Sequence, residues 1–148
     1  MAKTVSTILG TAFPLVGLAG FLAPNLLGAH LTPAHNVVHL ASGAAALYFG
    51  LRGSPVAARL FATLFGVFYL MLGVMGFWLG NSGESALPLV MRQGVEEHMF
   101  QAIPGHFELG TADHVLHLLL GAAFLIAGAA SRARVRPLID GPHGGVRT

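Results

Sequence analysis

The sequence predicts an all-α integral membrane protein, a bundle of four transmembrane helices formed by two parallel helical-hairpin repeats. Its 148 residues are 54% hydrophobic and only 9% charged, with a mean hydropathy of +0.70, whereas a soluble domain carries about a quarter charged residues. Four continuous apolar stretches are each long enough for a helix that crosses a bilayer core of about 30 Å. They span about 5–23, 35–51, 56–79 and 113–130.

The two halves of these apolar stretches resemble each other. Residues 15–21 (LVGLAGF) match residues 71–77 (MLGVMGF), and residues 34–45 match residues 112–123. Each copy contains an even number of spans, so the copies run in the same sense and a pseudo-two-fold axis along the membrane normal relates them. We expect one transmembrane domain over residues 1–134, with an outer loop at 81–112 and a cytoplasmic tail at 135–148.

Local signals mark the ends and contacts of the helices. Thr32 followed by Pro33 is typical of a helix start, and we expect Thr111 to cap the fourth helix in the same way. Gly43 and Gly121 are expected to allow close helix packing, with Asn36 as an interhelical hydrogen-bonding group. The outer loop mixes apolar and charged residues at roughly helical spacing, and we expect it to lie flat on the membrane or to cap the bundle.

Positive charges predict the orientation, because cytoplasmic loops are enriched in Lys and Arg. One side of the predicted bundle carries seven of them: Lys3, Arg52, Arg59, Arg132, Arg134, Arg136 and Arg147. The other side carries Arg92 and most of the carboxylates. We therefore expect a multi-pass protein of the bacterial inner membrane with both termini in the cytoplasm. The net charge is only +2, and no basic stripe is interleaved with aromatic residues, so nucleic acid is not an expected partner.

Seven of the eight histidines lie on the predicted outer side. His35 and His39 are four residues apart on one helix face, and the repeat places Asp113 and His117 at the equivalent positions, with His114 beside them. Because buried ionisable groups in membranes usually have a function, these five residues are the predicted metal ligands, with Glu97, His98 and His106 as further candidates. Imidazole and carboxylate ligands suit Zn, Cu or Fe.

Other interpretations of these histidines stay open. They can serve as interhelical hydrogen bonds, or His39 and His117 can ligate a b-type haem or a pigment, with flat room beside each ring at Gly43 and Gly121. His30 and His143 are expected to be exposed to solvent. The absence of cysteine excludes disulfide scaffolds and covalent c-type haem attachment.

The repeated segments, above all Asn36-Val37-Val38-His39-Leu40 with its counterpart at 114–118, resemble an uncharacterised family of bacterial four-helix membrane proteins, domain of unknown function 4383. The resemblance spans roughly residues 5–130. In the family pattern Asn-x-x-His-Leu, Asn36, His39 and His117 fit, and His114 replaces the second Asn. The resemblance implies the membrane topology and no activity.

The function classes that remain are therefore three. The first is a His-rich, metal-binding protein. The second is an accessory subunit of a larger membrane complex, respiratory or photosynthetic, or a homo-oligomer. The third is a small transporter, which is disfavoured because no polar residue is expected near the bilayer midplane. The sequence contains no phosphate-binding loop, nucleophile elbow or zincin motif, and whether the protein is an enzyme stays open.

Overall fold

A computed structural model describes residues 1–86 and 94–131, and four helices dominate it. They are α1 (Ala2–Gly20), α2 (Pro33–Leu51), α3 (Pro55–Leu79) and α4 (Thr111–Ala130). Each begins two or three residues, or one for α3, before the predicted span. The predicted tail at 135–148, with His143, lies outside the described residues, as do Arg92 and four of the other charges used for the orientation.

Three of the four helices are long and apolar enough to cross a membrane: α1, α3 and α4. The second helix is long enough, with 19 residues, but it is not among the three. Its first two turns carry His35, Asn36 and His39, which lower its apolar character. Of the four expected membrane spans, three are therefore supported by length and apolar composition.

The outer loop folds as a small sheet, so the all-α expectation is wrong in this part of the chain. Strands β1 (Asn81–Gly83), β2 (Glu96–Ile103) and β3 (Phe107–Leu109) form an antiparallel sheet in the order β1-β2-β3. The apolar residues of the loop are spaced roughly as in a helix, but Pro88 and Gly94 in the sequence argue against one continuous helix. Gly94 and Gly105 have positive φ angles of 80° and 73°, typical of turns that bound strands.

The sheet covers the end of the bundle at which α2 and α4 begin, called the outer end from the orientation that the sequence predicts, and this matches one of the two expected placements. Strand β2 contacts α3 and α4, and β3 contacts α2 and α4. Two helix starts lie beneath it. The Thr32 hydroxyl accepts a hydrogen bond from the His35 amide at 3.2 Å, as expected. The N-terminal capping residue of α4 is Gly110, not the expected Thr111. The Thr111 hydroxyl instead donates a hydrogen bond to Glu96 Oε2 at 2.8 Å.

The bundle consists of two tightly packed hairpins, α1 with α2 and α3 with α4. Glycines at equivalent repeat positions make equivalent contacts. A Cβ atom on Gly17 would lie 2.8 Å from the backbone oxygen of Asn36, and one on Gly73 would lie 2.9 Å from the backbone oxygen of His114. Such approaches are open only to glycine, so the repeated glycines fix the distance between the helices of each hairpin.

Aromatic rings fill the space between the two hairpins. Phe13 of α1 and Tyr69 of α3, which are equivalent in the repeat, stack with ring centroids 5.6 Å apart and planes at 11°. Phe124 of α4 packs against both rings. All three residues are almost completely buried. This core joins the hairpins and forms the floor of the outer end of the bundle.

Candidate functional site

The starts of α2 and α4 meet at the outer end of the bundle around a cavity of about 170 Å³. Four polar residues contribute to its walls, His35 and His39 from α2 with Asp113 and His117 from α4, but the surface that lines the cavity is almost wholly apolar. All four side chains are at least nine-tenths buried. The structure thus brings together four of the five residues that the sequence predicts as metal ligands.

Asp113 anchors this end of the molecule. Its Oδ2 atom accepts hydrogen bonds from the backbone amides of His30 and Gly110, both at 2.8 Å. The same oxygen lies 3.6 Å from His30 Nδ1, and Oδ1 lies 4.0 Å from His35 Nδ1, both beyond hydrogen-bond distance. His35 Nδ1 instead donates to the His30 carbonyl at 2.9 Å. Asp113 therefore joins the α1–α2 connection to the start of α4.

His39 and His117 occupy equivalent places in the two hairpins. His39 packs on Phe13 with ring centroids 5.6 Å apart, and His117 packs on Tyr69 at 5.3 Å. The Nδ1 atom of each ring is buried and has no hydrogen-bond partner within the described residues. An unpaired polar atom in an apolar interior is costly. Both ring nitrogens of His30 and the Nδ1 atom of His114 are also buried without a partner in the described part of the chain, so His39 and His117 differ from them by lying at the cavity.

His35 lies between these two rings. Its centroid is 4.6 Å from that of His39 and 5.9 Å from that of His117. Phe107 of β3 meets the His35 ring edge-on at 5.5 Å. Since the His35 Nδ1–H is committed to a carbonyl, its Nε2 is the nitrogen left for another partner.

The outer side of the cluster is closed by buried residues, and His30 is one of them. The expectation that His30 is exposed to solvent is wrong, because the residue is completely buried beneath the sheet. In the sequence His30 stands alone between two predicted helices. In the structure its backbone amide donates to Asp113 and its carbonyl accepts from His35. Leu31, Glu108 and Leu109 are buried beside it.

Glu108 holds the cap together. Its carboxylate accepts hydrogen bonds from the Ser85 hydroxyl and from the backbone amides of Gly105 at 2.7 Å and Ala86 at 3.2 Å. Burial by itself raises the pKa of this carboxyl, but these hydrogen bonds outweigh that effect, so the pKa of Glu108 lies below its ordinary value. The carboxylate thus stabilises the turn between β2 and β3 in its ionised form.

The remaining predicted ligands lie elsewhere. His114 points to the α3–α4 interface, where its ring packs against Gly76 and Phe77 and its Nε2 donates to the His98 carbonyl at 2.8 Å. The His98 ring packs on Phe77. Glu97 and His106 are exposed. None of these four side chains lines the cavity.

The arrangement is not a ready-made metal centre. Within residues 1–86 and 94–131, no three His, Asp or Glu side chains are placed so that they could hold a metal ion. The reason is visible in the rings, because His35 and His39 stack with their planes at 25° instead of directing nitrogens at one point.

The glycines beside the imidazoles serve helix packing. A Cβ atom on Gly43 would collide with the Pro14 side chain, and one on Gly121 would lie 2.6 Å from the Leu70 backbone nitrogen. Asn36 is also at a helix interface, where it packs on Gly20 and its Nδ2 donates to the Leu31 carbonyl at 3.2 Å. A haem ligated by His39 and His117 would need free space beside Gly43 and Gly121, and neighbouring helices occupy that space.

The sequence analysis did not predict the stacked aromatic rings beneath the cavity or the burial of His30. Phe13 and Tyr69 are equivalent in the same repeat that relates His39 to His117, so the register of the repeat contained a signal for the floor. His30 had no such signal, because its partners come from α4 and from the sheet.

A comparison with family models gives one result. Residues 3–103 match the model described as Domain of unknown function (DUF4383). The chain belongs to this family. The match covers α1, α2, α3 and the sheet as far as the end of β2, so it is shorter than the expected 5–130 and does not include Asp113 or His117. No curated protein and no solved structure matches the chain.

Proposed function

We propose that this DUF4383 member is a multi-pass membrane protein that binds a small organic molecule in the cavity between its two hairpins. The observation that carries the proposal is a preformed cavity whose walls include the rings of His39 and His117, each with a buried Nδ1 atom that has no partner in the described residues. Because the cavity surface is almost wholly apolar, a small rotation of these rings would be needed before a hydrogen-bonding group of the ligand could satisfy the nitrogens.

The rest of the proposal concerns the membrane. We propose that α2 crosses the bilayer together with the three more apolar helices, since its polar residues are covered by α1, α4 and the sheet instead of facing lipid. Lys3, Arg52 and Arg59 lie at the end opposite the sheet, where no carboxylate of the described residues lies. This distribution supports a cytoplasmic N-terminus and a cap on the outer side of the inner membrane.

A transition metal ion is the second candidate ligand, and the three neighbouring rings favour it. Two imidazoles on one tetrahedral metal ion at ~2.1 Å have their centroids about 5 Å apart, close to the separations around His35. The His35 Nδ1–H is also held by a carbonyl, the usual arrangement for a histidine ligand. Rotation of the stacked rings would be needed before Zn, Cu or Fe could bind.

The test compares three proteins purified in detergent without chelator: the parent, the double variant His39→Leu/His117→Leu, and His114→Asn. The last is a matched control, because His114 is also buried at the start of α4 but lies outside the cavity. Solvent extracts are examined by mass spectrometry, and metals are counted by plasma emission.

We expect the same organic molecule, near one per chain, in the parent and in the control, and its absence from the double variant. A stoichiometric metal that the double variant loses, without an organic molecule, would favour the second candidate. Identical extracts and identical metal contents in all three proteins would contradict a ligand site at this cluster.

A further inference from the structure

The cavity lies between α1, α4 and the α1–α2 connection, beside the start of α2. The connection contributes the buried Ala29 and Leu31 to its wall. Its remaining walls come from α1 and α4, and the exposed side chains of Leu27 and Leu116 line it. In a membrane, that side of the bundle faces lipid.

α1 and α4 meet along a thinly packed seam. Each helix packs mainly on its hairpin partner, and contacts between the two hairpins are few throughout, fewest where α2 approaches α3 and α4. The connection above the seam contains Leu27, a non-glycine residue with a positive φ of 57°, a conformation that leucine rarely adopts. This seam is the route by which a molecule dissolved in the bilayer would enter the cavity.

The walls specify an apolar ligand body. Apart from the polar residues at its outer end, the cavity is lined by aliphatic side chains and the Phe13 ring. It runs beside α4 from Asp113 to Leu120, which is about 10 Å along the helix. Its volume is close to the ~150 Å³ of a protein cavity that holds a benzene ring.

The end of the cavity at His39 and His117 would take an uncharged, hydrogen-bonding head once a ring turns its nitrogen toward the cavity. The Asp113 Oδ2 atom is already committed to two backbone amides, and a second carboxylate in this apolar space would be unpaired. No Lys or Arg of the described residues lines the cavity. Imidazoles can donate to or accept from a neutral oxygen, depending on their tautomer.

Resting on the ligand site proposed above, we infer that the ligand is a bilayer-borne amphiphile with a single oxygen-bearing ring, of the phenol or quinone type. The ring lies over Phe13 and meets His39 and His117, and the apolar tail leaves between α1 and α4. An ordinary acyl chain fits the walls but leaves both imidazole nitrogens unpaired.

The experiment uses the full chain in lipid nanodiscs and two probes of equal tail length, decyl-benzoquinone and decylbenzene. Binding is measured as the concentration-dependent rise of the unfolding midpoint, and an azido derivative of the quinone is photolabelled and mapped by peptide mass spectrometry. Ala12→Phe fills the seam, and Leu116→Trp blocks its rim should the first variant not fold. His114→Asn is the control for a buried imidazole outside the cavity.

We expect the quinone to raise the midpoint of the parent and of His114→Asn and to label α1 or α4, while decylbenzene raises it far less. The apparent affinity should fall about tenfold or more in the seam variant and in His39→Leu/His117→Leu.

Equal effects of the two probes would contradict the ring-oxygen head. A quinone effect that is absent, or that survives in both the seam variant and the double histidine variant, would overturn the inference. The proposed function is judged separately: a water-soluble organic molecule that only the double histidine variant loses would leave it standing and refute the amphiphile, whereas a metal without an organic molecule would refute both.

Discussion

The two hairpins share one frame but differ in the residues at the start of their second helices. Both place glycines against the backbone of the partner helix, and both rest a histidine, His39 or His117, on an aromatic ring. At the turn before that histidine the first hairpin has His35 and the second has Asp113. The helix packing is therefore common to both hairpins. The site between them is asymmetric because an aspartate stands in the second hairpin where the first has a histidine.

The asymmetry has a structural consequence. Asp113 binds the amide of His30, which belongs to the other hairpin, whereas His35 bonds within its own connection. A carboxylate can accept two amide hydrogen bonds at once, and a neutral imidazole has one acceptor. The second hairpin therefore supplies the group that ties the hairpins together.

Replacing that carboxylate should have the largest effect on stability. We expect Asp113→Ala to lower the free energy of unfolding by about 3–5 kcal/mol, because two buried amides lose their acceptor. His35→Ala, at the equivalent position, should cost much less. Unfolding in mixed micelles with increasing denaturing detergent measures both. Equal losses would show that the two hairpins do not differ here in the way the hydrogen bonds indicate.

The shared frame is tested by the equivalent glycines. Gly17→Ala and Gly73→Ala each place a methyl group against a backbone carbonyl, and we expect losses of about 1–3 kcal/mol in both. Ala substitutions at the exposed Leu18 and Val74 serve as neighbouring controls and should change stability little. A large loss in one hairpin and none in the other would break the equivalence of the repeats.

Exchanging His114 for the residue of the first hairpin should have a smaller effect. His114→Asn removes the hydrogen bond to the His98 carbonyl, so we expect a loss of about 1 kcal/mol. The shorter side chain also leaves space beside Gly76. Thermal unfolding measures the change, and the same protein should keep its ligand content. Loss of the ligand in this variant would place His114 in the site, against its position at the α3–α4 interface.

The cap, which only the second hairpin carries, should respond to acid. The pKa of Glu108 is lowered from its ordinary value of 4.5, so the ionised carboxylate stabilises the folded cap above that pH. This contribution is lost as the pH falls through the lowered pKa. Amide exchange in β2 and β3 should accelerate in acid for the parent, whereas Glu108→Gln should be faster at neutral pH and respond less. Identical pH profiles would remove Glu108 from this role.

The helices and their pairing could be predicted from the sequence because they follow from hydrophobic periodicity and from the internal repeat. Four apolar stretches, the Thr32-Pro33 start and the repeated glycines predicted the helices and their pairing. The sheet and the burial of His30 could not be predicted in the same way, because both depend on contacts between segments far apart in the chain. The equivalence of His39 and His117 was visible in the sequence, but the directions of His35 and His114 were not.

The central claim is that the hairpins bring His39 and His117 to one cavity, and paired cysteines test it most directly. The chain has no native cysteine, so His39→Cys/His117→Cys in membranes can be treated with a short bifunctional thiol reagent, with His39→Cys/His114→Cys as the control pair. Proteolysis in the outer loop then shows whether the halves remain joined. We predict efficient joining for the first pair and little for the control. A folded first-pair variant that stays unjoined would contradict the claim.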